Sequence, residues 1–125
     1  MLPFLSASWL DELTAAADGR DVGPDATVVQ QVVTGGPDGD IAYVIELDGG
    51  RVRARPGRDP RAVVTLTEAW ETAVRIHRGE LTAHDAIRAG LVKAGGDVRH
   101  LVGAAAALVP LEPATSALRE RTSGA

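Results

Sequence analysis

At 125 residues the chain fits one domain, and it is long enough to bury an apolar core without help from a metal or a disulfide. It holds no cysteine, which excludes thiol catalysis, disulfides and cysteine-type zinc sites. The net charge of −4, with Lys93 the single lysine among arginines, argues against general nucleic-acid binding, because that needs a basic face to displace counterions.

The abundance of Ala, Gly, Val and Arg matches the coding bias of a GC-rich bacterium. The first residues lack a basic stretch ahead of an apolar run, and Asp11 and Glu12 interrupt it, so no secretory signal is expected. No segment reaches the roughly 20 apolar residues of a membrane span. A cytoplasmic location is the expectation.

In chain order, Leu5, Trp9, Leu13 and Ala16 predict one face of a helix over residues 4–18, capped by Ser6 or Ser8. Residues 20–26, with Gly23 and Pro24, read as a linker. A Val-rich strand over 27–34 ends at the turn Gly35-Gly36-Pro37-Asp38-Gly39. Ile41, Tyr43, Ile45 and Leu47 alternate with Ala42, Val44 and Glu46 in a second strand. After the hairpin signal Asp48-Gly49-Gly50 comes a third, with Val52 and Ala54 inward and Arg51, Arg53 and Arg55 outward, as suits an edge. A fourth strand is expected over 62–66. Thr67 then caps a helix to Arg78 with Ala69, Trp70, Ala73, Val74 and His77 on its apolar face. Thr82 caps a short helix, with Ala83, Ala86 and Ile87 inward. Residues 91–94 form a fifth strand, and Gly95-Gly96 a break. Val98, Leu101, Val102, Ala105, Leu108 and Val109 mark a last amphipathic helix, ended by Pro110. The reading divides the chain into a domain over 1–111 and a polar, mobile tail over 112–125, with a helical turn over Thr115–Arg121 as the alternative for part of it. Strands and helices are segregated, which predicts an α+β protein with helices on one face of a sheet.

Four stretches, in this order and spacing, resemble the sterol carrier protein type 2 family, as a bacterial stand-alone member. They are Gly36-Pro37-Asp38-Gly39-Asp40 leading into Ile41–Ile45, the hairpin Asp48-Gly49-Gly50-Arg51-Val52, the run Ala62–Thr67 with its helix ending Arg78-Gly79-Glu80-Leu81, and Asp85–Asp97 with its Gly…Lys…Gly-Asp pattern. The resemblance covers nearly all of residues 4–108. It implies a five-stranded mixed sheet, helices on one face, and an apolar cavity between them for a fatty acid, another acyl chain or a sterol-like lipid. It implies no catalysis and no cofactor. The cavity-lining residues it points to are Trp9, Leu13, Tyr43, Ile45, Trp70, Val74, Ile87, Leu101, Val102, Ala105 and Leu108. Ile87 stands where the family often carries an aromatic residue. The ending Ser123-Gly124-Ala125 is not a peroxisomal address of the Ser-Lys-Leu type.

The residues themselves point to no catalytic centre. His77, His84 and His100 lack the i, i+4 partner of a helical zinc site, and no nucleophile elbow is present. Arg51, Arg53, Arg55, Arg58 and Arg61 form one basic cluster. It reads first as a solvated edge, and second as a place of transient contact with an anionic lipid surface. The expected function is therefore noncatalytic binding, and transfer, of an apolar small molecule. The alternative is the same fold with a filled core, acting as an interaction module or accessory subunit. In that case Val29, Val33, Ala42 and Val44 give the outer sheet face an apolar patch for a homodimer or another protein.

Overall fold

The structure is a computed structural model and describes residues 1–18, 26–100, 108 and 111–125. The short strand β1 (Leu2–Pro3) precedes α1 (Ala7–Ala17). Then follow β2 (Thr27–Gly36), β3 (Gly39–Asp48), β4 (Arg51–Pro56) and β5 (Val64–Ala69). Helices α2 (Trp70–His77) and α3 (Ala83–Arg88) lead to β6 (Val92–Gly96). The described chain ends with α4 (Glu112–Leu118) and β7 (Thr122–Ser123).

The main sheet has five strands in the order β4-β3-β2-β5-β6. Only β2 and β5 run parallel, so the sheet is mixed. Period-2 alternation sets its two faces. Register places Val29, Gln31, Val33, Ile41, Tyr43, Ile45, Leu47, Val52, Ala54, Val64, Leu66, Glu68 and Val92 on one side, which the helices cover. The expected α+β architecture with helices on one face is what forms, and β4 is indeed an edge.

Local chemistry explains most element ends. Ser6 caps α1 by accepting a hydrogen bond from the Trp9 backbone N–H at 3.2 Å. The buried stripe of α1 is Trp9, Leu10, Leu13 and Ala17; Phe4 and Leu5 are buried ahead of it. Thr82 caps α3 by accepting from the Asp85 N–H at 3.1 Å. Gly96 ends β6 at φ +99°, and a Cβ there would lie 2.7 Å from the Val63 carbonyl oxygen, so a side chain would force the β5–β6 pairing apart.

Four expectations need correction. Thr67 is not a cap: β5 continues to Ala69, because Thr67 pairs with Val32 on one side and Lys93 on the other. A central strand commits those backbone groups to the sheet, and α2 starts without a side-chain cap. The segment Gly95-Gly96 is part of β6, not a break. Val29 and Val33 do not join Ala42 and Val44 on the outer face. They are fully buried on the helix side, opposite Ile45 and Ile41. Last, residues 112–125 are not a loose polar tail. Ala114, Leu118 and Thr122 are buried, and β7 pairs in parallel with β1. The expected linker over 20–26 lies, apart from Ala26, outside the described residues. So does most of the expected last helix; its start, Val98–His100, is a 3-10 turn.

Candidate functional site

The covered side of the sheet carries two apolar clusters. The first joins Phe4, Leu5, Trp9, Leu10 and Leu13 to Val33, Ile45, Leu47, Val52 and Ala54, and to Leu111, Ala114 and Leu118 from the end of the chain. Tyr43, Trp70, Val74 and Leu108 pack against it. The second joins Val29, Val64, Leu66, Ala86 and Val92, with Ile76, Leu81 and Ile87 at its margin. Leu108 touches both.

Of the residues expected to line a cavity, Trp9, Leu13, Tyr43, Ile45, Trp70, Val74 and Leu108 come together around the first cluster. Ile87 belongs to the second. Leu101, Val102 and Ala105 lie outside the described residues.

Sequence reasoning named Tyr43 but missed two polar residues, Gln31 and Glu68, that share this apolar surface with it. Gln31 on β2 sits directly opposite Tyr43 on β3, and Glu68 on β5 pairs with Val33 and Val92. All three side chains lie on the helix side of the sheet by strand alternation. The Glu68 Oε2 is shielded from solvent and has no hydrogen-bond partner among the described residues. Burial pushes the Glu68 carboxyl up to about 7. The Tyr43 phenol is pushed up strongly, chiefly by burial and then by the Glu68 charge. The available signal was the alternation Val64, Leu66, Glu68, hidden by ending the strand at Leu66.

A ring cluster closes the end near the N-terminus. Phe4 meets Trp9 edge-on at 5.1 Å and Trp70 at 5.3 Å between centroids. The His77 imidazole lies 4.8 Å from Phe4 and 5.8 Å from Trp9, is 3% exposed, and has no partner for Nδ1 among the described residues. Its pKa is lowered, mainly by burial and then by the Arg119 and Arg78 charges. The Trp9 indole N–H donates to the Thr122 hydroxyl at 2.9 Å. His84 is exposed on α3, and His100 stands 3.6 Å from Asp97. Among the described residues no three His, Cys, Asp or Glu side chains cluster so as to hold a metal ion.

The arginine cluster divides. Arg51 and Arg53 are exposed. Arg55 pairs with Asp59 and, at 3.4 Å, with Glu46; Arg61 reaches Asp59 at 2.7 Å and Glu46 at 3.1 Å. Asp59 is held well below the usual carboxylate range, first by hydrogen bonds from Arg61 and also by Arg55. Beneath them Gln30 holds the loop to the outer sheet face. Its amide donates to the Gly57 and Tyr43 carbonyls at 3.0 Å and accepts from the Asp59 N–H at 3.1 Å. Two shallow clefts adjoin this region. One of about 530 Å³ is open to solvent between α1 and the β3–β4 hairpin, bordered by Asp11, Thr14, Asp18 and Arg51. The other, of about 230 Å³, lies beside Glu46, Asp48 and Arg61.

No family model and no curated protein matches the chain. Solved structures do, and they define it as having the sterol carrier protein 2 type of fold. A crystal structure of sterol carrier protein 2 superposes with TM-score 0.72 at 16% identity, over 90% of this chain and 98% of that one. The palmitated SCP2-like 2 protein of Aedes aegypti matches with TM-score 0.61 at 23% identity, over 77% of this chain and 86% of its own. The sec-alkylsulfatase PisA1 contains the same fold, with TM-score 0.58 at 24% identity over 78% of this chain, but the match spans only 15% of that enzyme. Among the described residues no helix is long and apolar enough to cross a membrane.

Proposed function

We propose that this protein binds an apolar small molecule, of the fatty acyl or sterol-like class, between the sheet and its helices, and carries it without catalysing a reaction. One observation carries the reading: the chain shares its fold with an SCP2-like protein solved with palmitate. The physical basis is general. Burying a methylene gains about 0.8 kcal/mol, so a long acyl chain supplies on the order of 10 kcal/mol before the costs of association and ordering. Trp9, Leu13, Ile45, Trp70, Val74 and Leu108 offer the apolar surface. Exposed Arg51 and Arg53 offer a transient contact with an anionic lipid surface during loading.

The test is uptake by delipidated protein. Native mass spectrometry after incubation with oleate is expected to show a one-to-one complex, with a change in the fluorescence of Trp70 or Trp9. Folded protein that takes up neither oleate nor a sterol would overturn the reading. A second reading, as an accessory module, is supported by the occurrence of this fold as a small part of the alkylsulfatase. A folded protein that takes up no lipid and copurifies with an enzyme would favour it.

A further inference from the structure

The polar residues on the helix side of the sheet are out of place in a plain core. An interior that only needed filling would continue the Val and Leu pattern of β2 and β5 through positions 31 and 68. Instead Gln31 lies beside Leu66 and Tyr43, and Glu68 follows two residues on, on the same face. Glu68 is flanked across the sheet by Val33 and Val92. Among the described residues no cation pairs with it, and its Oε2 is shielded without a partner. A buried acceptor left unmade costs free energy, so its retention needs a reason.

We propose that Glu68, with Gln31 and Tyr43 two residues along on the same sheet face, anchors the polar end of the bound lipid, and that it selects a hydrogen-bond-donating head such as a hydroxyl over a free carboxylate. The inference rests on the lipid-binding reading and deepens it. A hydroxyl donates to Oε2 and removes the unsatisfied acceptor. A carboxylate head brings a second negative group against Glu68 in a weakly screened place, so that one of the two must take a proton or both must bear repulsion. An ester head offers only acceptors and leaves Oε2 bare. The Tyr43 phenol lies within electrostatic reach of the carboxylate, as the effect of the Glu68 charge on its ionisation indicates.

The experiment is displacement of Nile red from delipidated protein at pH 8 by three ligands of one chain length: hexadecanol, methyl palmitate and palmitate. Hexadecanol is expected to displace the dye at a concentration about tenfold below that of methyl palmitate, the range of one charge-assisted hydrogen bond. Palmitate is expected to be weakest. In Glu68→Gln the palmitate arm should gain and the hexadecanol arm weaken, closing most of the gap. If wild-type protein binds hexadecanol and methyl palmitate equally, the anchor is overturned without recourse to any variant. An unchanged order in a folded Glu68→Gln overturns it as well. Failure of all three ligands to displace the dye removes the lipid-binding reading itself, whereas binding without head-group preference removes only the anchor.

Discussion

His77 and Glu68 each carry a shielded side-chain atom without a hydrogen-bond partner among the described residues, and they bias stability oppositely with pH. The His77 pKa is lowered in the folded protein. Its stabilising contribution is therefore present above the ordinary value of roughly 6.5 and is lost as pH falls from there through the folded value. Glu68 is pushed up to about 7. Its contribution is present below the ordinary carboxylate value of roughly 4.5 and is lost as pH rises through about 7. Asp59 and Asp97, both held low by arginines, act at more acid pH. Between pH 5 and 7 the two buried groups thus offset each other, and removing one should reveal the other. His77→Phe keeps a ring against Phe4 and Trp9 and is expected to make the protein more stable at pH 5 than at pH 7. Glu68→Gln is expected to do the reverse. Urea unfolding of both variants at the two pH values measures this, and identical pH slopes in the two would refute it.

At the scale of elements, the arginines of β4 show how far a sequence pattern reaches. Alternation alone placed Arg51, Arg53 and Arg55 outward and Val52 and Ala54 inward, and the strand agrees. What alternation does not contain is the partner of each charge. Glu46 comes from the neighbouring strand through its register opposite Arg53, and Asp59 from a loop that folds back over Gln30. The five arginines that looked like one basic patch are thus three exposed charges, Arg51, Arg53 and Arg58, and a network in which Asp59 and Glu46 tie Arg55 and Arg61. Strand β5 shows a different limit. A Thr ahead of an amphipathic run satisfies a helix cap and a strand interior equally well, and only pairing on both sides decides between them. That one choice hid Glu68. The contrast within β4 is testable. Arg51→Gln with Arg53→Gln should leave the melting temperature nearly unchanged, since exposed charges contribute little, and should weaken binding to anionic vesicles at low salt. Arg55→Gln should lower it by a few degrees, because Asp59 and Glu46 lose a partner. A double variant that melts as early as Arg55→Gln would contradict this division.

For the whole molecule, the α+β class and all five main strands were legible because each strand carries its own alternation and its own turn signal. The closure of the molecule by its two ends was not. Residues 112–125 are polar on average, and their buried apolar positions, Ala114 and Leu118, carry meaning only once α1 is there to receive them. The resulting contacts link distant parts of the chain. Arg119 donates to the His77 carbonyl at 2.7 Å, and the Thr122 hydroxyl donates to the Leu118 carbonyl at 2.6 Å while accepting from the Trp9 indole. The Phe4 N–H donates to the Ser123 carbonyl at 3.0 Å. Leu118 has no solvent-exposed surface, so Leu118→Ala removes packed methyl groups from the first cluster and should cost about 2–5 kcal/mol in urea unfolding. Truncation after residue 111 should cost more, since it also uncovers α1 and strips the Trp9 indole N–H and the Phe4 N–H of their acceptors. A surface tail would behave otherwise: Leu118→Ala would be silent, and the truncated chain would melt with the intact one. The second cluster under α3 draws no residue from the chain end, so hydrogen exchange in the truncated protein should quicken first in α1 and β4 and last in β5. Uniform exchange across the sheet would instead mean that the two clusters unfold as one unit.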